Sequence, residues 1–77
     1  MSLEEVRRKW EELEEEARQI RRSMADWSFI EKQPPHIKAA LELYIETGDI
    51  RLATRIAKMK LEEFRELLRK ANIPVVV

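Results

Sequence analysis

Few residues in this chain are equipped for covalent or acid–base chemistry, and their spacing gives them none to do. His36 is the single histidine, placed at the start of a helix with no carboxylate cluster about it, and it reads as a surface residue. Three serines and two threonines stand without a base at a recognisable spacing, and there is no cysteine to serve as nucleophile, metal ligand or disulfide partner. Glu11 to Glu16 is the densest carboxylate run, but its members are offset by one and three positions among arginines. That is the pattern of a salt-bridged, solvated helix face. One glycine excludes a Gly-rich phosphate loop. The expectation is a protein that is not an enzyme and needs neither metal nor cofactor.

Binding chemistry is better represented. The charges cancel over the whole chain, 15 basic against 15 acidic, so any pull on nucleic acid must come from a local patch. Residues 49–77 supply one, with seven basic side chains against four acidic. Arg51, Arg55 and Lys58 fall on one helical face. Lys60 stands at the mouth of the next helix, where backbone amides also favour phosphate. Arg65 and Arg69 lie on the exposed side of that helix and are the candidate base readers. Glu62 and Glu63 oppose them from its first turn, where they complement the helix dipole.

The elements that must position these residues can be read in order. Ser2-Leu3-Glu4-Glu5 is a capping box that starts a helix. From there Leu3, Val6, Trp10, Leu13, Ala17, Ile20, Met24 and Trp27 recur at alternating steps of three and four, with charges nearly everywhere between. So narrow a stripe predicts a coiled-coil-like helix over residues 1–27 and a homodimer along it, with Leu3, Trp10, Ala17 and Met24 at a and the others at d. A parallel pair would join Lys9 to Glu14 and Glu16 to Arg21, whereas a fully overlapped antiparallel pair sets Glu14 and Glu16 against their own copies. Parallel is therefore weakly favoured, because exposed pairs contribute only about 0.2–1 kcal/mol each. A monomeric alternative folds the same helix back as one arm of a bundle.

Residues 28–35 form a linker closed by Pro34 and Pro35, with Phe29 and Ile30 anchoring it to the core. Three helices are expected in residues 36–77. The first carries Ile37, Ala40, Leu41, Tyr44 and Ile45 inward and ends at Gly48. Asp49 caps the second, with Ile50, Ala53, Ile56 and Ala57 inward; Lys58-Met59-Lys60 is the turn. The third buries Leu61, Phe64, Leu67, Leu68 and Ala71 and closes at Asn72, Ile73 and Pro74. Two helices across a three-residue turn are a helix-turn-helix. The fold class is thus all-α: a long N-terminal helix, then a tri-helical domain with an extended tail, whose stretch from Ile73 to Val77 is a second candidate for the dimer contact. No apolar run is long enough to span a bilayer and residues 1–20 are too charged for a signal peptide, so a cytoplasmic location is expected.

LELYIETGDI, then A-x-x-I-A-x-M, EEFRELL and NIPV resemble a small prokaryotic family of uncharacterised helix-turn-helix proteins over residues 37–75. Their pattern runs ALxLY, G, A-A-x-L-A-G-M-S, E-F-x-x-L-L and G-I-P-V. This chain departs from it with Lys58 at the turn Gly, Thr54 at a small Ala and Lys60 at the capping Ser. Members look like antitoxins often encoded beside PIN-domain ribonuclease toxins. The resemblance implies duplex DNA and a PIN-domain toxin as partners, and with the pairing expected from the heptad stripe the leading reading is a homodimeric DNA-binding regulator of antitoxin type. The alternative is a small dimeric adaptor that uses the helix-turn-helix only for packing and binds a protein on the Trp10/Trp27 stripe.

Overall fold

A computed structural model describes residues 2–75, and every regular element in that span is a helix. These are α1 (Leu3–Met24), α2 (Trp27–Glu31), α3 (Pro35–Thr47), α4 (Ile50–Ala57) and α5 (Leu61–Lys70). The all-α expectation holds, with one helix more than the four foreseen. Val76 and Val77 of the expected tail contact lie outside the described residues.

The additional element arises because α1 ends early. Ala25 turns out of the helix at ψ 137°, and the Asp26 carboxylate accepts from the Phe29 amide at 3.1 Å to start α2 inside the expected linker. Aspartate competes for backbone amides in just this way and favours caps over helix interiors. The first helix therefore does not run to residue 27, and Trp27 does not continue its heptad register. Its indole Nε1 instead donates back to the Arg22 carbonyl at 3.0 Å.

Helices α2 to α5 enclose one core. Ile30, Leu41, Ile45, Phe64, Leu68 and Ile73 are its largest fully buried side chains. Burying a side chain of this size contributes about 1.5–3 kcal/mol. Tyr44 and Phe64 meet edge to face with centroids 6.3 Å apart. Ala53 and Ala57 are small enough to bring α4 close against the core. Two residues expected inside are not there: Ile56 is 36% exposed and Leu61 44%, each sitting at the edge of its helix's buried stripe.

The turns follow their local chemistry. Gly48 takes φ 70° and its amide donates to the Tyr44 carbonyl, ending α3. Asp49 then accepts from the Leu52 amide at 3.1 Å and starts α4. Lys58 (φ 55°) and Asn72 (φ 56°) both adopt the left-handed conformation at helix ends. At the second, the Ile73 amide reaches the Leu68 carbonyl and the Asn72 amide that of Arg69, the double bond of a Schellman end. Lys60 has no acceptor for the α5 amides, so only the Glu63 half of a capping box forms, its carboxylate accepting from the Lys60 amide at 3.3 Å.

Candidate functional site

Two surfaces were expected to bind, and the way α1 joins the rest of the molecule decides how both are presented. Three arginines from its last turns converge on the C-terminal end of α3. Arg21 Nε donates to the Ile45 carbonyl at 2.9 Å, and Arg18 Nε to the Glu46 carbonyl at 2.7 Å. Arg22 grips the Glu46 carboxylate with two bonds of 2.8 and 2.7 Å. Terminal carbonyls of a helix lack internal partners and carry the negative end of its dipole, so cations are well placed there. Arg21 goes deepest: it is 7% exposed, and its guanidinium lies 5.7 Å from the centre of the Tyr44 ring. Burial pushes the Tyr44 phenol up, while the cations Arg21 and Arg65 pull it partly back.

Gly48 completes this joint. A Cβ built on it would come within 3.3 Å of the Arg21 guanidinium. The glycine therefore serves the left-handed turn and the close approach of the arginine together. On the other side of the base, Asn72 Nδ2 donates to the Met24 carbonyl at 2.8 Å and the Asp26 amide to that of Ala71 at 2.7 Å. The C-terminal end of α1 is thus held at both sides by the ends of α3 and α5.

Beyond this joint α1 projects freely. Residues 2–16 are all exposed, and the molecule measures 45 × 23 × 19 Å. Of the expected seam, Leu3, Val6, Trp10, Leu13, Ile20 and Met24 are between 46% and 74% exposed. Ala17 is half-buried beside Thr47 and Gly48, and Trp27 projects from α2. Residues 18, 22 and 25, which meet the head, lie about 100° or more around α1 from the stripe, whereas Arg21 flanks it. From Leu3 to Leu13 the stripe stands clear of the head.

The expected cationic residues Arg51, Arg55, Lys58, Lys60, Arg65 and Arg69 are all exposed. Arg51 and Arg55 share one face of α4, Lys58 stands at its left-handed end, and no ion pair links the three to any of the described residues. Arg65 and Arg69 are displaced from that group. They line an open hollow with Met24, Asn72, Ile73, Pro74 and Val75, on the flank of α5 that faces the foot of α1. Arg69 is also paired with Glu66 at 2.6 Å. The side of α5 directly opposite buried Phe64 and Leu68 carries Glu62, Glu66 and Lys70.

The role of Arg21 was not foreseen, because its place at an e position suggested an exposed partner for Glu16. Arg18, Arg21 and Arg22 form a basic cluster in the last turns of α1, but such clusters ordinarily complement the helix's own dipole. Only the tertiary arrangement shows that they complement another helix. Among the described residues no helix is long and apolar enough to cross a membrane, and no group of three His, Cys, Asp or Glu could hold a metal ion. No family model matches this chain, and neither a curated protein nor a solved structure matches it.

Proposed function

We propose that this chain is a cytoplasmic, non-catalytic DNA-binding regulator of antitoxin-like type: a homodimer joined through α1 that sets two tri-helical heads on a duplex. What supports this reading is that Arg51 and Arg55 on α4 and Lys58 at its end stand exposed and without ion pairs. Three such cations suit phosphates, which bind without reading sequence. Glu62 and Glu66 on the outer side of α5 limit how much that helix can add as a base reader. One head would hold DNA weakly, and two joined heads gain by effective concentration.

The test is a titration of a duplex from the chain's own promoter region at several salt concentrations. Affinity should fall linearly on a logarithmic scale, and changing Arg51, Arg55 and Lys58 together to Ala should reduce that slope by up to about 3 for each head engaged, about 6 for the dimer. An absence of binding at low salt, or an unchanged slope, would exclude the reading. The second reading, a protein-binding adaptor, is favoured by Leu52, Ile56 and Leu61, which leave apolar surface open on the head. A PIN-domain toxin, the partner implied by the resemblance, would find its contact there.

A further inference from the structure

We infer that α1 pairs with α1 of a second copy in antiparallel orientation, shifted by one heptad from full overlap, so that residues 3–20 of the two copies face each other. The inference rests on the reading of α1 as the dimer element and specifies its geometry. It begins from the joint. In a parallel pair Glu16 would face Arg21 of the other copy, but Arg21 is buried and spends its Nε hydrogen on the Ile45 carbonyl. Half of the parallel complementarity is thereby lost, because a guanidinium so buried leaves Glu16 little to pair with. Full antiparallel overlap fares worse, opposing Glu14 and Glu16 to their own copies and Arg7 to the buried Arg21.

The shifted pair removes each conflict. Its e positions set Arg7 against Glu14 and its g positions set Lys9 against Glu16, each twice by symmetry. All four contacts are attractive. Among antiparallel registers one heptad apart, a further shift opposes Arg7 to Arg7 and Lys9 to Lys9, so this one is selected from both sides.

Side-chain volumes agree. The layers become Leu3 with Ile20, Val6 with Ala17 and Trp10 with Leu13, so neither the two Trp10 nor the two Ala17 share a layer. In-register parallel packing would instead stack Trp10 on Trp10 in one layer and leave Ala17 facing Ala17 in another. The overlap also stops at Ile20, next to the buried Arg21, so the partner helix begins where the head ends. Met24 and Trp27 then lie outside the seam.

The absence of native cysteine permits a direct test. Single variants Glu4→Cys, Glu12→Cys and Gln19→Cys carry nitroxide labels on exposed positions equally far around α1 from the stripe. Electron–electron distances across the dimer should be shortest at 12, and longer but equal at 4 and 19, with an added axial offset of about 22 Å. Equal distances at all three positions would establish a parallel pair and overturn the inference while leaving the dimer intact. A longer distance at 4 than at 19 would establish full antiparallel overlap, with the same consequence. A monomer at tens of micromolar by sedimentation would overturn the dimer reading itself.

Charge exchange gives an independent readout. Arg7→Glu should weaken the dimer about tenfold, since attraction becomes repulsion at two sites, and adding Glu14→Arg should restore it. In a parallel pair Arg7 has no charged partner and Glu14→Arg would repel Lys9, so the double variant would be the weaker one.

Discussion

Lys58 ends α4 with φ 55°, a conformation that costs an L-residue about 1–2 kcal/mol and glycine much less. The amides of Lys58 and Met59 reach back to the carbonyls of Arg55 and Thr54, so the turn is held in spite of that cost. Lys58→Gly is therefore expected to stabilise the fold by about 0.5–1 kcal/mol after allowance for the freer unfolded chain. Thermal denaturation followed by circular dichroism should show a rise of a few degrees, and a fall would mean that the lysine side chain contributes to the turn. At this scale the sequence was most legible where chemistry is local. Gly48, Asp49 and Asn72 do what their types suggest, because a glycine or asparagine at a helix end and an aspartate at a start answer to their nearest amides. Arg21 was illegible for the opposite reason: its partner lies 24 residues away and is the end of another helix.

Among elements, α1 and its joint depart most from expectation. The heptad spacing continues to Trp27, but Asp26 offers the backbone a cap, and a cap outcompetes one further turn of helix. The periodicity sets Leu3 to Met24 along one face of α1 without fixing where the helix ends. For α4 and α5, small shifts in how the helices roll on the core were enough to leave Ile56 and Leu61 at the surface, which spacing alone does not determine. The joint makes a sharp prediction. Arg21→Ala removes a charged hydrogen bond worth about 1.5–3 kcal/mol and its contact with Tyr44. Hydrogen exchange should accelerate in residues 18–25 and at the end of α3, while the Phe64 and Leu68 amides keep most of their protection. Uniform loss across all helices would show instead that the joint belongs to the head's cooperative unit.

For the whole molecule, the proposed pairing along the exposed stripe would bear on stability as well as assembly. A chain of 77 residues buries a limited core, and association adds to it by mass action. The melting temperature should therefore rise with protein concentration. Replacing Leu13 and Ile20 by Glu should abolish that dependence and leave a folded monomer, since both residues are more than half exposed in the single chain and their loss costs the head nothing. A concentration-dependent melt that survives the double change would place the dimer contact elsewhere. The zero net charge was readable at this scale from composition alone, but the separation of the free α4 cations from Arg65 and Arg69 was not. It depends on which flank of α5 turns towards the foot of α1.

The arginine joint has one more consequence. Because Arg21 fixes each head at one level along α1, the staggered pair we infer would act as a ruler. Its two joints would stand about 28 Å apart along the helix axes, somewhat less than one turn of duplex DNA. Its graduations are whole heptads, since only those preserve the stripe. Inserting seven residues into the free part of α1 would move the joints apart by about 10 Å, close to three base-pair steps. The spacing between half-sites that such a dimer prefers would then change by discrete increments, written in the length of a helix that never touches the DNA.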